Sequence, residues 1–304
     1  MKKIAILKHS ALGDVITILN FTKEMQKNNT HITLFSCKSV YKTLKKFINQ
    51  NKLVNFNFIE KYKEEDFDTT IKPKGYTLPT NCAKFKPPKH ILESYAEYLG
   101  VPCSFNLFNL KLPKIPSSIN TLHLRNYITI QNSTDWSIYK KWWGWQDLIN
   151  MIKKNKSKIK IYQIGGPKDE KLKNIDGSLC GEPFENNLYA QAHASLHLGL
   201  DSVFNHTSNI NWIGKGKTKS IILFGSTDAE TIGYPHNINI SLNLPCQPCF
   251  KIVNEANVKS KIKLNLCNNP PKQTYQNPQH ACMKNITPQM IYKKIFFNNN
   301  LTFI

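Results

Sequence analysis

The sequence predicts an α/β protein with two doubly wound domains. Apolar, β-branched runs alternate with segments of helical apolar spacing from the N-terminus to residue 99, and the alternation resumes at residue 127. Residues 194–227 show the pattern most clearly, as strand, polar turn, helix, strand and polar turn. A chain of 304 residues suits two domains of about 150 residues each.

The first predicted domain covers residues 1–115. Its predicted strands are 3–8, 31–36, 54–59 and 69–71, and its predicted helices are 15–26, 39–49 and 90–99. Gly100 follows the last helix, as a C-terminal stop does. Residues 72–89 are rich in Pro, Gly and Lys and predict a long loop, and residues 102–122 predict the linker.

The second predicted domain covers residues 123–287. Its predicted strands are 127–131, 158–164, 194–199 and 220–224, and its predicted helices are 145–153, 185–193 and one that carries Asn205 and His206. Residues 243–284 contain Cys, Pro and Asn and predict irregular structure. Residues 288–304 form the tail, with an amphipathic helix up to residue 297.

Composition narrows the range of functions. The net charge of +21 would attract phosphates, but Arg125 is the only arginine, and proteins that read bases rely on arginine. We therefore expect a solvated surface, or contact with an anionic membrane or acidic glycan, rather than nucleic-acid recognition. No apolar stretch reaches the ~18 residues of a membrane span, and Lys8-His9 interrupts the apolar start, so a cytoplasmic location is expected.

Two polar turns of the 194–227 stretch follow predicted strands. Asp201-Ser202 follows the first strand, and Gly225-Ser226-Thr227 follows the second. Ligands of open α/β sheets bind outside the carboxyl ends of the strands, so both turns are candidates for one binding crevice. His206 could meet sugar hydroxyls or phosphate there, although a single histidine on a helix is more often structural.

The first turn of the chain, Ser10 to Asp14, is a second candidate site. Small residues and Gly13 would let a ligand approach the backbone at the start of a helix. Asp14 can be an acid that favours the helix dipole, which is common, or a carboxylate that removes a proton from an acceptor hydroxyl.

Two further segments follow predicted strands. Residues 134–145 contain four of the five tryptophans together with Lys140 and Lys141, and the lysines could hold a phosphate or be solvated beside packed rings. The sequence Gly165-Gly166-Pro167-Lys168-Asp169 ends another strand.

The cysteines of the second half form a candidate metal site. Cys246 and Cys249 form a CxxC pair, and Cys267 and Cys282 lie downstream in a segment poor in apolar residues. Four thiolates suffice for a closed tetrahedral structural site, whereas a CxxC pair alone also serves redox chemistry. The spacing favours structural metal over free thiols.

Together these segments resemble glycosyltransferase family 9, the heptosyltransferases that use ADP-heptose. The matching segments occur in family order and are LKHSALGDV, WSIYKKWWGWQDLI, YQIGGPKD, LHLGLDSVFNHTSN, IILFGST and CQPCF. The resemblance implies a GT-B fold, in which two Rossmann-like domains face a cleft and a C-terminal helix crosses back. It also implies an N-terminal acceptor domain, a C-terminal nucleotide-sugar domain and inversion at the anomeric carbon.

The resemblance also implies roles for residues. Asp14 would be the catalytic base, with Ser10 and Gly13 in the acceptor loop, and Lys140 or Lys141 would contact donor phosphate. The other donor-binding residues would be Gly165, Gly166, Asp169, Asp201, Ser202, His206, Gly225, Ser226 and Thr227. Val203 stands where the family usually has Gly, and KKWWGW departs from the family's KxWP motif.

The four cysteines resemble those of autotransporter heptosyltransferases, which hold iron on four cysteines. Iron therefore joins zinc as the expected structural metal, and no catalytic divalent ion is expected because protein cations and amides can stabilise the leaving diphosphate.

The leading hypothesis is an inverting glycosyltransferase that moves heptose from ADP-heptose to a hydroxyl of a bacterial surface glycan, lipid-linked glycan or protein. It would be cytoplasmic or peripheral at the inner membrane face. The alternative is a basic nucleic-acid-binding protein that is stabilised by a structural metal and has no enzymatic activity. An NAD-dependent oxidoreductase is disfavoured, because no dinucleotide fingerprint follows the first strand.

Overall fold

A computed structural model describes most of the chain as two compact units. The described residues are 1–9, 11–26, 29–73, 89–105, 107–111, 126–134, 138–156, 158–249 and 280–297. The first unit comprises residues 1–113, 183–185 and 209–217, and the second comprises 114–182, 186–208 and 218–304. Several predicted features lie outside the described residues: Ser10, Cys267, most of the loop at 72–89, and residues 112–122.

The first unit contains a four-stranded parallel sheet in the order β3-β2-β1-β4. Its strands are β1 (Lys2–Leu7), β2 (Thr30–Ser36), β3 (Asn55–Phe58) and β4 (Thr69–Ile71). Its helices are α1 (Leu12–Gln26), α2 (Lys38–Gln50) and α3 (Ile91–Leu99). Apolar residues at helical spacing, such as Val40, Leu44 and Phe47 of α2, are buried in the core of this unit.

Local sequence fixes both ends of α3. The His90 ring nitrogen accepts a hydrogen bond from the backbone of Leu92, and the Glu93 carboxylate accepts one from the backbone of His90. Together they form a capping box. Gly100 ends the helix with a left-handed φ of 66°, which confirms the predicted stop.

One strand lies where the sequence predicts a linker. Leu107–Lys111 form β5, which pairs in parallel with β10 (Ile210–Ile213). The linker prediction was wrong at these residues, because five residues give too short a run for a period of two to stand out. The alternation is visible only in the buried pair Phe108 and Leu110.

The second unit contains a six-stranded parallel sheet in the order β12-β11-β9-β6-β7-β8. Its strands are β6 (Tyr127–Ile130), β7 (Lys160–Gln163), β8 (Gly177–Ser178), β9 (Leu196–Leu200), β11 (Ser220–Leu223) and β12 (Ile238–Ile240). Every residue of β6, β9 and β11 is buried, as expected of a parallel sheet covered on both faces.

Among the described residues, six helices accompany this sheet. They are α4 (Trp145–Asn155), α5 (Phe184–His193), α6 (Val203–Thr207), α7 (Ala229–Ile232), α8 (Ala281–Lys284) and α9 (Pro288–Phe296). The predicted tail helix is α9, which packs against α4 of the same unit. None of the described helices has both the length and the apolar character needed to cross a membrane.

The four-stranded and the six-stranded sheet each reverse their strand order once. In the first unit the chain moves outward from β1 to β3 and then returns to place β4 on the other side of β1. In the second unit it moves from β6 to β8 and returns to place β9 beside β6. Ligands of doubly wound sheets bind at the carboxyl ends of the strands that flank such a reversal. The predicted α/β class with parallel sheets is confirmed.

Candidate functional site

The reversal point of the second sheet carries a buried ion pair. Asp201 directly follows β9, and Lys140 ends a short 3-10 turn (Ile138–Lys140) that comes after β6. The Lys140 ammonium lies 2.6 Å from Oδ2 of Asp201 and donates to its backbone carbonyl at 3.3 Å. The side chains are only 9% and 5% exposed, so water screens their attraction weakly. Of the two predicted lysines, Lys140 is the one that pairs with Asp201, and Lys141 is half-buried.

The surroundings of Asp201 keep it ionised. Burial alone would raise the pKa of this carboxyl group, but the charge and hydrogen bond of Lys140 outweigh it and hold the pKa below its usual value. His206 and the hydroxyl group of Thr227 add smaller contributions in the same direction. Thus four of the predicted donor-binding residues come from three separate segments and meet at one point.

His206 is held in place by a tyrosine. Its Nδ1 atom shares a hydrogen bond of 2.8 Å with the hydroxyl group of Tyr234, and the two rings meet edge to face at 5.7 Å. Both side chains are buried. A fixed ring next to Asp201 is pre-organised to meet a ligand, because little rotamer entropy remains to be lost on binding.

Ser202 and Asn205 have structural partners. The Ser202 hydroxyl accepts a hydrogen bond from the backbone of Phe204, as the N-cap of α6, and donates to the side chain of Gln131 at 3.0 Å. The Asn205 amide donates to the carbonyl of Ile232. These contacts fix the turn after β9 and explain how it holds Asp201 at the sheet edge.

The turn after β11 is tightly enclosed. A Cβ atom at Gly225 would collide with the carbonyl oxygen of Tyr139 and lie 2.9 Å from Cγ of Met283. Ser226 and Thr227 are buried as well. Within the described part of the chain, the Thr227 hydroxyl makes no hydrogen bond of good geometry, although it lies near enough to Asp201 to favour the ionised carboxylate. A buried hydroxyl with spare hydrogen-bonding capacity is a ready partner for a ligand oxygen.

The predicted Gly165, Gly166 and Asp169 form a turn of their own after β7. The Asp169 carboxylate accepts a hydrogen bond from the backbone of Gly166 at 3.0 Å, and Asn187 accepts one from the backbone of Gly165 at 2.9 Å. A Cβ atom at Gly165 would collide with the Asp169 carboxylate. Asp169 therefore shapes this turn, which lies at the same carboxyl edge as Asp201, one strand beyond β6.

Among the described tryptophans of the Lys140 segment, Trp142 and Trp145 are buried in the core and Trp143 is exposed. Trp142 and Trp145 meet edge to face with centroids 4.8 Å apart, and Trp142 donates to the carbonyl of Ile286 at 2.8 Å. Trp143 donates to the carbonyl of Lys284. Lys140 is buried in its ion pair with Asp201 and is therefore not solvated.

The predicted base of the first unit lies at the reversal point of the first sheet. Asp14 is in the first turn of α1, which follows β1, and its carboxylate lies 2.8 Å from the ammonium group of Lys8. Lys8 also lies 5.5 Å from the ring centroid of Tyr95. Burial, followed by the charge of Asp14, raises the pKa of the Tyr95 hydroxyl group, so tyrosine stays protonated beside the acid. Asp14 remains 21% exposed and accessible to a substrate.

The backbone before Asp14 differs from the expectation for Gly13. Gly13 lies inside α1, whereas Ala11 adopts the left-handed φ of 72° that normally favours glycine. A non-glycine residue in this region costs about 1 kcal/mol, and such strain tends to persist at functional sites.

The cysteines do not form a recognisable metal centre within the described residues. Cys246 and Cys249 are half-buried and Cys282 is buried, but among residues with described positions no three His, Cys, Asp or Glu side chains are arranged to hold a metal ion. The fourth predicted ligand, Cys267, lies outside them.

Comparison with solved structures identifies the fold. No protein-family model matches the sequence, and no curated protein sequence matches it. The heptosyltransferase TibC of enterotoxigenic E. coli, an iron-containing dodecamer solved with ADP-D-β-D-heptose, matches with a TM-score of 0.67 and 15% identity over 95% of this chain and 74% of TibC. The chain has the GT-B fold of the heptosyltransferases.

Two further structures support this assignment. A family 9 glycosyltransferase of Veillonella parvula matches with a TM-score of 0.56 and 15% identity over 84% of this chain and 91% of that protein. The ADP-heptose lipopolysaccharide heptosyltransferase II of E. coli matches with a TM-score of 0.55 and 12% identity over 97% of both chains. The predicted resemblance to glycosyltransferase family 9 is thus confirmed in the fold.

Sequence reasoning missed several partners of the predicted residues. Lys8 was considered only as an interruption of the apolar start, and Tyr95, Tyr234 and Gln131 had no motif around them. Lys8 and Gln131 had a usable signal, because they directly follow β1 and β6, and the carboxyl end of a strand predicts a site.

Proposed function

We propose that this protein is an inverting glycosyltransferase that transfers heptose from ADP-heptose to a hydroxyl group of a bacterial surface glycan, a lipid-linked glycan or a protein. One observation carries the proposal: Lys140, Asp201, His206 and Thr227 converge at the reversal point of a sheet whose fold matches that of heptosyltransferases. TibC was solved with ADP-D-β-D-heptose, and another E. coli heptosyltransferase with an ADP-fluoroheptose, which supports this choice of donor.

The donor would bind in the second unit. An ionised Asp201 can accept hydrogen bonds from sugar hydroxyl groups, and the hydroxyl group of Thr227 can donate to a phosphate oxygen. Lys140 supplies a cation in a site with little water, where it stabilises negative charge on a leaving diphosphate more strongly than at the surface. Gly165, Gly166, Asp169, Ser202, Gly225 and Ser226 would shape the turns around the nucleotide.

The acceptor would be activated in the first unit. Asp14 takes the proton of the acceptor hydroxyl group, whose oxygen forms a bond to the anomeric carbon while the bond from that carbon to the diphosphate breaks. ADP leaves with the electron pair, and attack from the opposite face inverts the configuration. Lys8 orients the carboxylate through their 2.8 Å contact, as a general base requires.

The location and the metal are proposed with the function. The net charge of +21 supports peripheral contact with the anionic inner membrane face, where a lipid-linked acceptor would be presented. A structural iron or zinc on Cys246, Cys249, Cys267 and Cys282 is supported by the CxxC spacing and by the iron of TibC. Elemental analysis of purified wild type and a Cys246→Ser variant tests this; a metal content of zero in wild type would refute it.

Release of ADP from ADP-heptose tests the function. The wild-type protein should release ADP in the presence of an acceptor extract, and UDP-sugars should not replace the donor. Asp14→Asn should reduce the rate by about 100-fold or more, since general base catalysis contributes about that much. Asp66→Asn is the matched control, because Asp66 is an exposed acid of the same unit.

Two outcomes would overturn parts of the proposal. Equal rates of ADP release by wild type and Asp14→Asn would remove Asp14 as the base. Absence of both binding and turnover of ADP-heptose by wild type, together with turnover of another nucleotide sugar, would remove heptose as the transferred sugar.

A further inference from the structure

A side chain in the described part of the cysteine-rich segment hydrogen-bonds to the turn after β11. Gln247 lies between Cys246 and Cys249, and its amide nitrogen donates to the carbonyl of Gly225 at 2.7 Å and, at 3.4 Å, to that of Phe224. Its amide oxygen accepts a hydrogen bond from the backbone of Leu244 at 2.9 Å. Gln247 thus links its own loop to the turn.

Two other groups enclose the same turn. The carbonyl of Tyr139 and the side chain of Met283 fill the space that a Cβ atom of Gly225 would need. Tyr139 precedes Lys140, and Met283 follows Cys282. The turn is therefore enclosed by the lysine segment and by residues that directly follow two of the four cysteines, Cys246 and Cys282. No motif of the family resemblance assigns a role to Gln247 or Met283.

We propose that Gln247 is a positioning residue that fixes the Gly225 to Thr227 turn for the donor diphosphate. This inference rests on the proposed function. Residues 224–227 follow one another in the chain. Because each peptide unit is planar, a hydrogen bond that holds the Gly225 carbonyl also fixes the direction of the following amide groups and of the Thr227 hydroxyl group. Donor binding then depends on the conformation of residues 244–247, whereas acceptor binding does not.

Gln247→Met and Gln247→Glu test this. Met keeps the volume without the amide group, and Glu keeps an acceptor for Leu244 but cannot donate to Gly225. Each variant should raise the KM for ADP-heptose by about fivefold to tenfold, the size of one lost hydrogen bond, while the KM for the acceptor changes by less than about twofold. Hydrogen exchange at residues 225–228 should be faster without any ligand.

Gln146→Met is the matched control. Gln146 also donates to a backbone carbonyl (Lys173, 3.0 Å) and accepts from a backbone amide of the same residue (2.9 Å), but it lies on α4. It should lower the melting temperature about as much as Gln247→Met without changing the KM for ADP-heptose or exchange at 225–228.

The readouts separate the inference from the function on which it rests. If hydrogen exchange at 225–228 is unchanged in both Gln247 variants, Gln247 does not fix the turn, whatever the donor is. Faster exchange with an unchanged donor KM, or an equal rise in both KM values, refutes the role in donor binding. Failure of wild type to bind ADP-heptose refutes the proposed donor and the donor part of this inference, while the exchange result still decides whether Gln247 holds the turn.

Discussion

Removal of Lys140 should cost far more than the loss of an ordinary ion pair. In Lys140→Met the aliphatic volume is kept, but Asp201 becomes a buried carboxylate without its cation, at a side-chain exposure of 5%. Breaking one partner of a buried pair typically destabilises a protein by about 3–5 kcal/mol. Since domains are stable by only about 5–15 kcal/mol, urea unfolding should show a large fall in the midpoint for the second unit.

The stability lost in Lys140→Met should also depend on pH in a defined direction. In wild type the pKa of Asp201 is lowered, so its contribution is present above the ordinary carboxyl pKa and is lost as the pH falls through the folded value. In Lys140→Met, burial acts without that cation and raises the pKa of Asp201. The native variant then binds a proton that the unfolded chain does not, so its deficit relative to wild type should shrink as the pH is lowered from 7 to 5.

A double variant and a surface control separate charge from packing. Lys140→Met combined with Asp201→Leu replaces the pair by apolar side chains and should recover most of the lost stability without recovering ADP release. Lys160→Met removes a lysine that pairs at 3.0 Å with Asp176 but is 44% exposed, so its effect should be much smaller. A loss for Lys140→Met no larger than that for Lys160→Met, or a deficit that grows on acidification, would refute this reasoning.

Two further predictions concern stability. Burial lowers the pKa of His197 to about 3. Between that pH and the ordinary histidine pKa, the unfolded chain binds a proton that the native state excludes. The free energy of unfolding should therefore fall by up to about 1.4 kcal/mol per pH unit as the pH drops below about 6.5. His197→Leu should flatten this slope in urea unfolding at pH 7, 6 and 5, and parallel curves would contradict the assignment. Gly100 has a φ of 66° and open space around it, so Gly100→Ala should lower the stability by about 1 kcal/mol and leave the kinetics unchanged. Gly225→Ala should lower the stability by about 1–3 kcal/mol and raise the KM for the donor. Thermal melts and ADP-release kinetics measure both effects, and the opposite pattern would contradict the prediction.

The sequence predicted the regular elements well where periodicity was long. The helices at 39–49 and 90–99 agree with α2 and α3 to within one residue, and Gly100 ends the second of them as predicted. It failed at β5, because a five-residue strand that pairs with a segment about one hundred residues later carries no local signal of its partner. Parallel pairing is set by non-local contacts that single-sequence patterns do not report.

The candidate site was predictable for residues that follow strands and not for those that reach it from elsewhere. Asp201 and Thr227 each follow a strand of the sheet, so position alone placed both at one edge. Tyr234 and Gln247 come from irregular segments and meet the site through single hydrogen bonds. Their roles depend on the three-dimensional path of loops, for which the sequence offered only turn signals.

The four-stranded and six-stranded sheets place the same kind of pair at their reversal points, and the difference between the pairs favours different roles for them. Each consists of a lysine and an aspartate at the carboxyl edge: Lys8 with Asp14 at 2.8 Å, and Lys140 with Asp201 at 2.6 Å. A general base must exchange a proton with a substrate hydroxyl group, which requires an accessible carboxylate. Asp14 is 21% exposed and meets this requirement, whereas Asp201 is 5% exposed and is held ionised by its lysine. Exposure and charge therefore favour Asp14 as the proton acceptor and Asp201 as a fixed hydrogen-bond acceptor, without reference to any family motif.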